Sequence, residues 1–163
     1  MSLPSYSIWS RRRQREAFRV ALVAVVFAGA STAAAWSDSR HISVDALMCR
    51  EQRCQRVTLL VWDGDSFIVL SENGRPEKVR IENIDAPEIE GRGAEERSAA
   101  LRAKVELVQL LEGRKINLNR GRMDRYGRQL AAVMADGRDV GEALIERHAV
   151  RRWDGCRRSW CGI

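Results

Sequence analysis

Proline is scarce in this chain, with three residues against 12 glycines in 163. That excludes a collagen-like or proline-rich protein. Histidine is scarcer still, with two, and neither histidine nor cysteine lies near the main acidic clusters. Hard oxygens are the metal ligands on offer there, which favours Ca²⁺ or Mg²⁺ over zinc. There is no internal repeat, and no low-complexity tract follows the first 37 residues. What is present suffices for a core: 45% of residues are hydrophobic and 31% charged. This composition excludes a disordered chain, and the length suits one domain.

The formal charge of +6 invites a nucleic-acid reading, but its distribution matters more. Five arginines and one glutamate fall before residue 20, and residues 20–37 carry no charge. A basic segment, an apolar run and small residues at Ala33 and Ala35 read as a secretory signal removed before Trp36. The alternative is an uncleaved membrane anchor, since 18 apolar or small residues approach the length of a bilayer span. A twin-arginine signal is disfavoured, because no apolar pair follows Arg11-Arg12. Without residues 1–35 the chain has 128 residues and a net charge of +2. Residues 36–113 carry −4 and residues 114–163 carry +6. An acidic half followed by a basic half is compatible with a cation site facing a phosphate-binding surface.

Cys49, Cys54, Cys156 and Cys161 form two C-x4-C pairs. An even count in an exported chain points to disulfides, with three pairings open, including an end-to-end link such as Cys54 to Cys161. The spacing is looser than most zinc knuckles, so four-thiolate zinc is the lesser alternative.

Residues 36–55 read as a polar lead-in. Alternation at Val57, Leu59 and Val61 predicts a strand, and 67–70 predicts a second. Asn73-Gly74 signals a hairpin turn, with 78–84 as the returning third strand. Residues 94–112 predict a helix with an apolar stripe at Leu101, Val105 and Val108, widened by Leu107 and Leu111. Glu95 and Glu96 suit its N-terminus, and Gly113 its end. Strands are predicted at 116–119 and 129–135. Asp139 and Glu142 then cap a second helix carrying Val140, Ala143 and Leu144 inward. The order β-β-β-α-β-β-α fits a mainly β, α+β fold built on a five-stranded OB-type Greek-key barrel with two or three helices.

Three clusters carry chemistry. Asp63-Gly64-Asp65-Ser66 precedes the second strand, Arg80 to Glu88 ends the third, and Asp124-Arg125-Tyr126-Gly127-Arg128 enters the fifth. With Asn73-Gly74 as the turn, Asp65 falls opposite Glu82 and Asp85 opposite Trp62. Strands ~4.8 Å apart then bring Asp65 and Asp85 into one neighbourhood. Two adjacent carboxylates repel unless a proton or cation lies between them. Alone, D-G-D is an Asx turn. It is no EF-hand, because the glycine and closing glutamate of that loop are missing. Arg80 lies on the face opposite Val79 and Ile81. Pro87 holds Ala86 extended, which would aim its carbonyl at a metal.

These clusters resemble the staphylococcal nuclease (thermonuclease) family, through VWDGDSFIV (61–69), VRIENIDAPE (79–88) and DRYGRQLA (124–131), with a weaker match at 135–145. The resemblance covers about residues 56–152, and it implies an OB barrel with helices. Carried over by position, it implies Asp65, Asp85 and the backbone carbonyl of Ala86 as Ca²⁺ ligands. Glu88 would be the general base, Arg80 and Arg128 would grip the phosphate, and Arg125 and Tyr126 would lie near the bound nucleotide. Ser66 stands where threonine is common, and Ala86 where the namesake has threonine. The tail RRWDGCRRSWC has no counterpart in the namesake. The chemistry agrees with the resemblance, because phosphodiester hydrolysis needs positive charge on the phosphoryl oxygens and a base for water.

The sequence therefore reads as a signal peptide or anchor (1–35), a Cys-containing lead-in (36–55), a nuclease-like OB domain (56–152) and a Cys/Trp-containing tail (153–163). The expected function is Ca²⁺-dependent hydrolysis of single-stranded DNA or RNA, leaving 3′-phosphates if it follows the family. The expected protein is a periplasmic or secreted monomer, or one anchored by residues 20–37. The alternatives are a non-catalytic nucleic-acid-binding OB module, against which the intact residue set argues, and a membrane-anchored structural protein that kept the fold.

Overall fold

A computed structural model describes residues 40–72, 74–156 and 158–160. The signal or anchor segment lies outside them, and no helix among the described residues is long and apolar enough to cross a membrane.

Two long strands, β1 (Ile42–Arg50) and β2 (Arg53–Val61), form an antiparallel hairpin. β3 (Ser66–Leu70) and β4 (Glu77–Ile81) continue the sheet, and a short β5 (Ile84–Asp85) follows. Helix α1 (Ala94–Leu111) leads to β6 (Lys115–Met123), β7 (Gln129–Ala135) and β8 (Arg138–Asp139). Helix α2 (Val140–Glu146) and a short β9 (Arg151–Arg152) end the order. The sheet runs β4-β3-β2-β1-β6-β7-β8, and parallel pairing of β4 with β7 closes it into a barrel of six strands. Leu59, Val61, Phe67, Val79, Ile81, Ile116 and Val133 fill the interior. Inward positions alternate with outward ones along each strand, as a closed sheet requires.

The expected α+β barrel is present, with one strand more than the five read from the sequence. The additional strand is β1, inside the segment taken as a polar lead-in. Its inward residues are Val44, Ala46 and Met48, and its outward neighbours include Ser43 and Asp45. Its turn, Glu51-Gln52, contains no glycine or asparagine, and Glu51 adopts φ 55°. Neither the strand nor the turn has a strong sequence signal.

The expected third strand, 78–84, is broken. Asn83 takes φ 61° and turns the chain between β4 and β5. The β3–β4 register is also one residue off the two-residue-turn expectation. Ser66 pairs with Arg80, and the Asp65 backbone carbonyl accepts from the backbone N–H of Ile81 at 2.8 Å, so Asp65 does not face Glu82. Asp85 pairs with Arg151 in β9, not with Trp62.

Helix α1 ends as expected, with Gly113 at φ 68°. Its buried face differs from the expected stripe. Ala100, Ala103, Lys104, Leu107 and Leu111 are buried, whereas Leu101 and Val105 are exposed. Small residues face the barrel because the helix approaches closely. A Cβ built on Gly64 would lie 2.6 Å from the Ala103 Cβ and 3.1 Å from the Ala86 Cβ. Gly64 therefore seats the D-G-D loop against both α1 and the segment carrying Ala86. Asp139 caps α2 as expected, accepting from the Glu142 N–H at 2.9 Å.

Candidate active site

The hairpin, the kink after β4 and the turn before β7 converge on a cleft of about 1080 Å³. Asp63, Asp65, Arg80, Asp85, Ala86 and Glu88 line it together with Arg125, Tyr126 and Arg128. Every site residue proposed from the three clusters thus borders one cleft. Barrel closure explains the meeting of the arginines. Val79 pairs with Gln129 and Arg80 with Leu130, so β4 delivers Arg80 beside the turn that ends in Arg128.

The D-G-D-S loop is built around Asp63. Its Oδ1 accepts from the Asp65 N–H at 3.0 Å and from the Ser66 hydroxyl at 2.7 Å. That leaves Asp65 pointing into the protein, 3% exposed. Its Oδ2 meets the Arg80 Nη1 at 2.6 Å, while its buried Oδ1 finds no hydrogen-bond donor among the described residues. Burial, then the neighbouring Asp63 carboxylate, pushes the Asp65 carboxyl well above the usual range, while Arg80 and Arg128 pull the other way. The Arg80 Nη2 donates to the Ile84 carbonyl at 3.2 Å, so the Asn83 kink also fixes this guanidinium.

Asp85 is buried, and its Oδ2 accepts from the Trp160 indole N–H at 3.3 Å. Ala86 is buried, and Glu88 is exposed at the cleft. The Glu88 carbonyl caps a turn by accepting from the Gly91 N–H at 2.9 Å.

Asp124 organises the other wall. Its Oδ1 accepts from the N–H groups of Tyr126 and Arg128, each at 2.9 Å, and its Oδ2 from the Arg128 Nε at 2.7 Å. Burial opposes ionisation of Asp124, but these three donors outweigh it and hold the carboxyl below the usual range. Gly127, at φ 73°, closes the turn. The Arg125 and Arg128 guanidinia lie 4.8 and 5.5 Å from the centre of the Tyr126 ring, which is exposed. Sequence reasoning gave Asp124 no role; an Asp four residues before Arg across a glycine was the available signal. It also passed over Trp160, whose tail lacks a family counterpart.

Cys49 and Cys54 face each other across β1 and β2 and form a disulfide, with Cα atoms 4.1 Å apart. This corrects the end-to-end link from Cys54 and removes half the ligands of the four-thiolate zinc alternative. Cys156 is exposed, with its thiol 3.6 Å from an Asp154 carboxylate oxygen, and Cys161 lies outside the described residues.

Residues 78–151 match the family described as staphylococcal nuclease homologue. The matched span holds Arg80, Asp85, Ala86, Glu88, Arg125, Tyr126 and Arg128, while Asp65 precedes it. A protein of Haemophilus influenzae described as an uncharacterized endonuclease is 29% identical over 98 residues, or 60% of this chain and 51% of that protein. The chain therefore spans about half the length of this curated relative. The cleft unites the acidic and the basic half of the sequence, with Asp63, Asp65, Asp85 and Glu88 from the first and Arg125 and Arg128 from the second.

Proposed function

We propose that the protein hydrolyses phosphodiester bonds in single-stranded DNA or RNA, using water as the nucleophile and a calcium ion as cofactor. The observation that carries this reading is the buried Asp65 Oδ1, which has no donor among the described residues, on a residue that borders the same cleft as Asp85, Glu88, Arg80 and Arg128. A buried carboxylate oxygen without a donor, beside a second carboxylate, fits a hard cation. No histidine or cysteine among the described residues lines the cleft. Among the described residues no three acidic, histidine or cysteine side chains form a ready metal cluster. Asp65 and Asp85 would therefore hold the ion with the Ala86 carbonyl, and water would complete the set. When bound, the ion neutralises these carboxylates and withdraws electrons from the phosphoryl group.

The chain's own groups supply the rest. Arg80 uses one N–H on Asp65 and one on Ile84, leaving others for a phosphate oxygen. Arg128 is held at Nε by Asp124, so both Nη groups remain for the phosphate. Charge developing on the phosphoryl oxygens is met by planar donors already in place. The Glu88 carboxylate takes the proton from the attacking water as its oxygen bonds to phosphorus, and the opposite P–O bond breaks to release an alkoxide that takes a proton. Tyr126 offers an exposed ring on which a base can stack.

Export to the periplasm or exterior, as a monomer, belongs to the same proposal; the Cys49–Cys54 disulfide supports an oxidising compartment. Release of fluorescence from a quenched single-stranded oligonucleotide tests the activity. The expected result is turnover with Ca²⁺ and none with EGTA. Tight binding without turnover would instead indicate a non-catalytic OB module.

A further inference from the structure

The C-terminal tail meets the site at the kink between β4 and β5. It leaves β9 with the Trp153 N–H donating to the Asn83 carbonyl at 2.8 Å. Asp154 and Arg158 pair within the tail, and the Arg151 Nη1 donates to the Ser159 carbonyl at 2.9 Å. These bonds place Trp160 over β5, where it is 6% exposed. The Arg151 guanidinium lies 3.8 Å from the centre of the indole ring. Arg151 is also the β9 residue paired with Asp85, so one residue anchors both the ring and the strand beneath it.

A buried indole N–H requires an acceptor, and a buried carboxylate requires donors. Trp160 and Asp85 satisfy each other through the 3.3 Å bond to Oδ2. A hydrogen bond to one carboxylate oxygen restricts rotation about the terminal torsion of the side chain, and so sets the direction of the other oxygen. Outer partners of this kind commonly govern how a metal ligand presents itself. Trp160 lies beyond residues 78–151, the span shared with the family.

We infer that Trp160 is a positioning residue for Asp85, and that its hydrogen bond couples the C-terminal tail to cation affinity in the cleft. This rests on the reading of Asp85 as a cation ligand. A tryptophan that only filled space would contribute to stability, whereas this one also acts on the carboxylate through its N–H. Trp160→Phe keeps an aromatic ring over Arg151 and removes the donor.

The test is calorimetric titration of the full chain with Ca²⁺ alone, without substrate, on the parent and on Trp160→Phe, with folding checked by circular dichroism. The expected result is calcium affinity weakened about 10–100-fold in a folded variant. A second measurement needs no tolerant variant: the assigned Trp160 indole N–H resonance of the parent should shift on calcium addition. Parent-like calcium affinity in folded Trp160→Phe would overturn the positioning role, whatever its melting temperature. If that variant does not fold, an indole resonance unmoved by saturating calcium overturns it. A parent that binds no calcium overturns the metal reading itself and the positioning role with it. Loss confined to the variant leaves the metal reading standing and supports the clamp.

Discussion

Asp124→Asn separates two jobs that one carboxylate performs. Asparagine keeps an oxygen at Oδ1, so the bonds to the Tyr126 and Arg128 N–H groups and the turn they form are retained. At Oδ2 it places an amide NH₂, which cannot accept from the Arg128 Nε. The lost pair is 2.7 Å long, with side chains 27% and 14% exposed. Exposed pairs are worth ~0.2–1 kcal/mol, and hydrogen bonds to charged groups ~1.5–3 kcal/mol. For this half-buried pair ~1 kcal/mol is expected, a melting shift of ~4 °C in a domain of this size. Asp124→Ala also loses both backbone bonds, for ~2–3 kcal/mol in total. The effect on turnover should be disproportionate, because an Arg128 free to swing no longer presents its Nη groups to the phosphate. A loss of ~10–100-fold in kcat is expected for Asp124→Asn, against a small melting shift. Oligonucleotide turnover and thermal melts on the same samples provide the comparison. Parent-like kcat in a folded Asp124→Asn variant would refute the claim that this bond aims Arg128 at the reacting group.

Arg128→Ala should lower turnover by ~10²–10³-fold with a melting shift like that of Asp124→Asn, since it loses the same ion pair. The Cys49–Cys54 disulfide closes a short loop, so Cys49→Ala/Cys54→Ala should cost ~2 kcal/mol on the loop-entropy account, read by denaturant unfolding. The end-to-end link considered from the sequence would have been worth ~4.7 kcal/mol on the same account. The Arg120 guanidinium holds the Glu77 carboxyl below its usual range through bonds of 2.7 and 2.9 Å. Its folded value is depressed, so its contribution is present above the ordinary glutamate range and lost as pH falls through the folded value. Glu77→Gln should therefore be less stable than the parent at pH 7, with the difference vanishing in acid, as melts across pH will show.

The barrel was legible wherever sequence signals act locally. Strands β2 and β6 alternate, at Val57, Leu59 and Val61 and at Ile116 and Leu118, Asp139 caps its helix through its own side chain, and Gly113 ends the preceding one. Strand β1 was hidden because its turn lacks the usual residues and its inward face includes an alanine. The face of α1 was misread because counting large aliphatics favours Leu101 and Val105. Close approach to Gly64 instead selects Ala103, and Ala100 is buried on the same helix. The cleft residues were legible as three short clusters, but the groups that orient them were not. Asp124 acts through a turn whose geometry depends on Gly127, and Trp160 reaches Asp85 across 75 residues of sequence. Long-range hydrogen bonds of that kind leave no periodicity to read.

The central claim is general-base phosphodiester hydrolysis in this cleft, and Glu88→Gln addresses it most directly because it retains size and removes the base. Single-turnover cleavage of a single-stranded oligonucleotide, at saturating protein with Ca²⁺, should slow by ~10²–10⁴-fold in Glu88→Gln while its melting temperature and oligonucleotide affinity stay near the parent's. Cleavage at the parent rate by the folded variant would contradict it.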